Sequence, residues 1–158
     1  MTKNIIFIRH GHADEGEYPD DRKRPLSEKG KVQIHNMGKK LKDLGFSPDY
    51  IFASPYLRAK QSADIIGELF GTKIEVPAAL AYDLFDEDFL LNRLNSLLEG
   101  KTFVLLGHDP TLTDFANKLA STNCLPAGLS KGTAAIIEFQ GDIIYGKGHF
   151  NGHYRPED

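Results

Sequence analysis

Ile5-Ile6-Phe7-Ile8 is an unbroken apolar run, with none of the polar alternation that a half-wet strand would show, so it predicts a strand covered on both faces. Thr102-Phe103-Val104-Leu105-Leu106 and the shorter Tyr50-Ile51-Phe52-Ala53 have the same character, and Lys73 to Val76 is a weaker strand pattern. Between these runs the apolar period lengthens to that of a helix. Ser27 is placed to cap a helix whose apolar side is Val32, Ile34, Met37, Leu41 and Leu44, ended by Gly45. Ala59 to Phe70 repeats the pattern and stops at Gly71. Asp86 caps a predicted helix over Glu87 to Leu98, and Pro110 suits the first turn of one over Thr111 to Ala120. Ala134 to Phe139 predicts a strand that turns at Gln140-Gly141-Asp142 and returns, antiparallel, from Ile143 to Tyr145. Residues 148–158 read as a loosely held polar tail.

Strands alternating with helices predict an α/β fold, a three-layer α/β/α sandwich around a mostly parallel mixed sheet, in a single domain over 1–158. In that architecture the first, second and fourth strands end on one edge of the sheet, where such folds keep their chemistry. Each of the three ends carries reactive side chains: Arg9-His10-Gly11, Ser54-Pro55-Tyr56-Leu57-Arg58 and Gly107-His108-Asp109-Pro110. Guanidinium forks meet phosphoryl oxygens with paired hydrogen bonds, and a neutral imidazole is a nucleophile, so the combination points to phosphoryl transfer. The neighbouring cations are expected to keep His10 neutral, with one ring nitrogen donating to a backbone carbonyl and the other free to attack. The helix after Pro110 aims its N-terminus at the same edge, and backbone N–H groups of Gly11 or His12 are further anion donors. Residues 12–26 form a polar loop over the strand end, within which Asp14 and Glu15 read as solvated charges and His12 as a bystander. Ser62 reads as a helix-face residue, and Phe7, Phe52, Phe103, Phe115 and Phe139 as core.

Composition narrows the partners. Of 158 residues, 26% are charged and 41% hydrophobic, with a formal charge of -3, which leaves no footprint for nucleic acid. No apolar run approaches the roughly 20 residues that span a bilayer, so no membrane is implicated. The N-terminus is too soon charged for a signal peptide and the one cysteine, Cys124, has no partner for an internal disulfide, which predicts a cytoplasmic protein. His35, His149 and His153 lack the spacing of a zinc site, so neither a metal nor a cofactor is expected.

Taken together, the three strand-end motifs resemble the histidine phosphatase superfamily, whose fold is similar to that of phosphoglycerate mutase. Arg24-Pro25-Leu26-Ser27, with Gly30 shortly after and the small size of the chain, resembles the SixA-type phosphohistidine phosphatases. The resemblance implies that His10 is the nucleophile, that Arg9, Arg58 and His108 hold the phosphoryl oxygens as catalytic partners, and that Arg24 lines the phosphate site. Many members of the superfamily offer a glutamate after the third strand as leaving-group acid; here the stretch is Ala81-Tyr82-Asp83-Leu84-Phe85-Asp86-Glu87-Asp88. Asp83 is the candidate proton donor, while Asp86 reads equally as a helix cap. A weakly supplied acid favours a phosphoramidate substrate, whose imidazole leaves more readily than an alkoxide.

The expected function is therefore a metal-independent phosphohistidine phosphatase acting on a phosphorylated protein through a phosphohistidine intermediate on His10. A phosphatase of a small phosphorylated metabolite or sugar is the nearest alternative. A non-catalytic phosphate-binding module is the alternative from another class.

Overall fold

The computed structural model describes residues 1–157; Asp158, the end of the expected tail, lies outside the described residues. Six strands form one sheet: β1 (Thr2–Arg9), β2 (Tyr50–Ala53), β3 (Ile74–Glu75), β4 (Thr102–Gly107), β5 (Ala134–Gln140) and β6 (His149–Tyr154), in the order β3-β2-β4-β1-β5-β6. β1, β2, β3 and β4 run parallel to their neighbours among themselves, while β5 lies antiparallel to β1 and β6 antiparallel to β5. The fold is the α/β class anticipated, a mixed sheet with helices on both faces.

Residue alternation in the strands divides the core. Ile5, Phe7, Phe103, Leu105 and Ile137 face the layer of α3 (Glu87–Asn95) and α4 (Thr111–Ala120), where Leu90, Leu94, Leu112, Phe115 and Leu119 pack. Ile6, Ile8, Val104, Leu106 and Ile136 face the layer of α1 (Glu28–Asp43) and α2 (Leu57–Phe70), meeting Ile34, Met37, Leu41, Ala59, Ala63 and Ile66. Because both faces of β1 and β4 are covered, their sequences need no polar alternation. All five phenylalanines expected in the core are there, each at most 1% exposed. On α1 the buried stripe is narrower than expected, since Val32 and Leu44 stand in solvent. Ser27 caps α1 as predicted, its Oγ accepting from the Gly30 N–H at 3.0 Å.

One element departs from expectation. The strand that returns along β5 is His149–Tyr154, not Ile143 to Tyr145, so much of the expected loose tail is a sheet edge. Ile143 has another partner. Its N–H donates to Asn95 Oδ1 and its carbonyl accepts from Asn95 Nδ2, both at 2.9 Å, so a side-chain amide on α3 occupies the backbone groups a ladder would use.

Candidate active site

Register places the three strand ends side by side. Arg9 pairs with Gly107 and Ala53 with Leu106, so His10, Ser54 and His108 leave the sheet at nearly one level. The first residue beyond each strand stays tied down: His10 N–H donates to Gly107 O at 3.0 Å and Ser54 N–H to Leu106 O at 2.9 Å. The His10 and His108 rings meet edge to face, 5.1 Å between centres. His10 is 5% exposed, His108 2% and Arg58 6%, so the cluster is assembled in a largely dry environment.

Hydrogen bonding fixes the tautomer of His10. Its Nδ1 lies 2.8 Å from the Gly11 carbonyl oxygen, which only accepts, so Nδ1 carries the proton and donates. Its Nε2 faces the Nε–H of Arg58 at 3.4 Å and so presents a lone pair. The ring is kept neutral, with its pKa lowered to about 3, first by burial and then by His108, Arg58 and Arg9; only the Gly11 carbonyl acts in the opposite sense. Cationic neighbours were expected to be the cause, and burial precedes them.

Arg58 stands in the first turn of α2 and is engaged at every nitrogen. Beyond Nε, its Nη1 donates to Asp21 O at 2.8 Å and its Nη2 to Asp21 Oδ2 at 3.0 Å. The other oxygen of Asp21 accepts from Arg24 Nε at 3.0 Å, so one carboxylate joins the two guanidiniums. The two arginines hold the Asp21 carboxyl below the ordinary range, with burial opposing them as the largest single influence. Arg24 thus reaches the cluster through Asp21, at its outer side. Arg9 donates from Nη1 to Leu129 O at 3.0 Å, and its buried Nε has no partner among the described residues.

His108 is held in the same neutral state, its pKa lowered to about 4 by burial first, then by Arg58 and Arg9, against Asp21 and Asp83. Ser54 Oγ is 2.8 Å from its Nε2. The rings of Tyr56 and Tyr82 stand edge to face with it, at 4.7 and 5.8 Å. The candidate donor Asp83 is exposed and accepts from Tyr56 Oη at 3.2 Å, which places it on the His108 side of the site.

Several anticipated anion donors are spent elsewhere. Gly11 N–H donates to Ser62 Oγ at 3.2 Å, and His12 N–H to Gln33 Oε1 at 2.9 Å. At the N-terminus of α4 the Asp109 carboxylate accepts from the N–H of Thr113 at 3.2 Å and that of Leu129 at 2.8 Å, so an internal anion already meets the helix end. Asp14 is bonded to Tyr18, and Glu15 to His12 Nε2 at 3.0 Å. His12 also meets Ser27 Oγ at 2.6 Å, which makes it a tie between the loop and the start of α1. Gly30 allows that approach, because a Cβ there would come within 2.1 Å of His12 O.

Residues outside the strand-end motifs matter more than their sequence context suggested. Ser62 is fully buried and bridges the two halves of the site, accepting from Gly11 N–H and donating to Arg58 O at 2.7 Å. Lys131 shares a cleft of about 670 Å³ with Arg9 and Arg155. Its ammonium pKa is lowered, by partial burial first and then by Arg9 and Arg24. Ser54 was legible by the rule that exposed His10 and His108, since it too is the first residue beyond a buried strand; Asp21 and Lys131 carry no local signal.

A strand-end cluster of two neutral imidazoles among guanidiniums, on a mixed sheet covered on both faces, is the arrangement the sequence motifs led one to expect for a phosphoryl-transfer site. Residues 5–81 match the model of the histidine phosphatase superfamily (branch 1), and the chain belongs to that family of phosphatases. An uncharacterized protein of Picosynechococcus sp. is 35% identical over 120 residues, 73% of this chain and 72% of that one. In fold, the chain is similar to the protein histidine phosphatase SixA complexed with tungstate, with a TM-score of 0.83, 23% identity and 97% of each chain covered. It is also similar in fold to a mycobacterial glucosyl-3-phosphoglycerate phosphatase, with a TM-score of 0.70, 15% identity, and 96% of this chain and 98% of that one covered. No helix among the described residues is long and apolar enough to cross a membrane.

Proposed function

We propose that the protein is a metal-independent phosphohistidine phosphatase that removes the phosphoryl group from a histidine of a protein substrate. The observation that carries the reading is the fixed tautomer of His10, neutral and buried, with its Nε2 lone pair directed at the Arg58 guanidinium. Nε2 attacks phosphorus as the substrate's P–N bond breaks, and the departing imidazole takes a proton. Water then attacks the phosphoryl group on His10, the P–Nε2 bond breaks, and inorganic phosphate leaves.

Each group has a task in this sequence. A phosphoryl group on Nε2 leaves the ring positive while Nδ1 keeps its proton, and the Gly11 carbonyl at 2.8 Å stabilises that charge. Arg9, Arg58 and His108 hold the equatorial oxygens, and Arg24 meets the incoming phosphoryl group at the outer side. Asp83, beside Tyr56, is the carboxyl group assigned to the leaving-group proton, which it supplies in its protonated form. A protein substrate is favoured by the rim, where Tyr82, Asp83 and Leu84 are exposed and the loop over the strand end is pinned by a bridge between Ala13 and Leu26. The fold shared with SixA supports the same choice.

A second reading, a phosphatase of a small phosphorylated metabolite, is favoured by the cleft where Lys131 and Arg155 join Arg9, since two further cations suit a second acidic group. Phosphate release in the presence of EDTA separates the readings, measured for a phosphohistidine protein, a panel of phosphosugars and p-nitrophenyl phosphate, with His10→Ala in parallel. Preference for phosphohistidine, abolished in His10→Ala, is the expected result. Preference for a small ester moves the function to metabolism, and no turnover of any substrate leaves a phosphate-binding module.

A further inference from the structure

His10 and His108 are both neutral and buried, yet the reaction asks opposite things of them. One must offer a lone pair to phosphorus and the other a proton to a phosphoryl oxygen. The Gly11 carbonyl settles the first case. In the second, the only hydrogen-bonding neighbour of the ring among the described residues is Ser54 Oγ, 2.8 Å from Nε2.

A hydroxyl can either donate to a ring nitrogen or accept from it, so the rest of its hydrogen bonding decides. Ser54 is fully buried, and its Oγ already accepts from the N–H of Tyr56 at 3.2 Å. Were His108 to donate from Nε2, the serine would accept twice and its own proton would be left in the interior with no acceptor, a costly arrangement. With the proton of Ser54 given to Nε2, the hydroxyl both accepts and donates, and the ring proton falls on Nδ1, which has no partner among the described residues and is left for a ligand.

We infer that Ser54 is a positioning residue that fixes His108 as the Nδ1–H tautomer and so makes it a hydrogen-bond donor to the phosphoryl group. The role of His108 rests on the phosphatase reading; its tautomer does not. The edge-on rings of Tyr56 and Tyr82 wall the imidazole in place, and the bond from Ser54 fixes which nitrogen faces outward with a proton. Ser54 itself touches no reacting atom. It sits in the short stretch that joins β2 to α2, four residues before Arg58, so one segment both supplies a guanidinium and sets the polarity of the second histidine.

The test is the ¹⁵N spectrum of the histidine rings in the whole protein at neutral pH, with and without inorganic phosphate, for wild type, Ser54→Ala and Ser54→Thr. The expected wild-type result is a protonated Nδ1 and an unprotonated Nε2 on His108. In Ser54→Ala that assignment is lost and kcat falls about tenfold, with KM moving less than about threefold, because a donor to the developing charge is misplaced and ground-state binding is largely kept. Ser54→Thr, which keeps the hydroxyl, retains the Nδ1 proton. Nε2–H on wild-type His108 overturns the inference. So does a Ser54→Ala protein that is less stable but keeps the Nδ1 proton and the wild-type kcat, since the serine would then serve only the Tyr56 backbone. Failure of the phosphatase reading would appear in the substrate panel and leave the wild-type ring spectrum as expected.

Discussion

His10 and Arg24 stand at the two extremes of one cluster. His10 is 5% exposed, leaves the sheet beside paired strands, and has both ring nitrogens committed. Arg24 lies on the loop of residues 12–26 and reaches the site only through the Asp21 carboxylate it shares with Arg58. The floor is therefore set by burial and backbone geometry, which give large pKa shifts and fixed tautomers. The rim is set by exposed ion pairs, whose net strength is small and screened by salt. Chemistry that must not vary sits on the floor, and contacts that suit one partner or another sit on the rim.

The sharpest way to break this contrast is at Arg58, which belongs to both. Its guanidinium reaches His10, the backbone carbonyl of Asp21 and one oxygen of the Asp21 carboxylate, and an ammonium cannot span that set. Arg58→Lys is expected to lower kcat/KM about 100-fold, the scale of losing a preorganised donor; steady-state kinetics that moved only a few-fold would place Arg58 with the rim.

Acid provides the next test. His10, the proposed nucleophile, has a pKa of about 3 and stays neutral where an ordinary histidine at 6.5 is charged. At pH 5 an ordinary imidazole would cost about 30-fold in rate, whereas kcat/KM here is expected to be nearly flat from pH 7 to pH 5 once substrate ionisation is corrected. The same shift has a sign for stability. Between the unfolded value near 6.5 and the folded values of about 3 and 4, the unfolded chain binds more protons at His10 and His108, so stability falls as pH falls through that window. Thermal unfolding of wild type against His108→Asn should show a shallower decline in the variant below pH 6.5.

Ser62 tests whether the floor depends on its buried hydrogen bonds. Ser62→Ala leaves the Gly11 N–H without its acceptor and is expected to cost about 1–3 kcal/mol in denaturant unfolding. The smallest effect belongs to Arg24→Ala, with a rise in KM of about threefold and an unchanged kcat, a difference that should shrink as salt is raised. An equal loss at high salt would move Arg24 to the floor.

Legibility in the sequence followed the same division. β1, β2 and β4 announced themselves because strands buried on both faces are written in apolar residues, and the four motif residues stand at the last strand position, directly beyond it or one turn later. β6 did not, because in an edge strand reading His-Phe-Asn-Gly-His-Tyr the half-buried positions are Phe150, Gly152 and Tyr154, too few apolar residues to stand out among polar ones, whereas Ile143, at the start of the apolar run Ile143-Ile144-Tyr145, is held by Asn95. The α4 N-terminus was located correctly, but its occupancy was not read, since the Asp109 carboxylate that meets it turns back onto the Thr113 N–H only in the folded chain. Asp21 is one acid among several in a charged loop, and only the folded chain brings it to Arg58.

The position of β1 in the sheet has a consequence for how the protein opens. It is flanked by β4 and β5, with the margins of the sheet at β3, three strands away on one side, and β6, two strands away on the other. Fraying begins at margins, and local openings of low free energy release them without disturbing the interior. Amides of Ile6 to Ile8 are thus among the last to exchange with solvent, and the strand that carries His10 outlasts the edges of the sheet that shelters it.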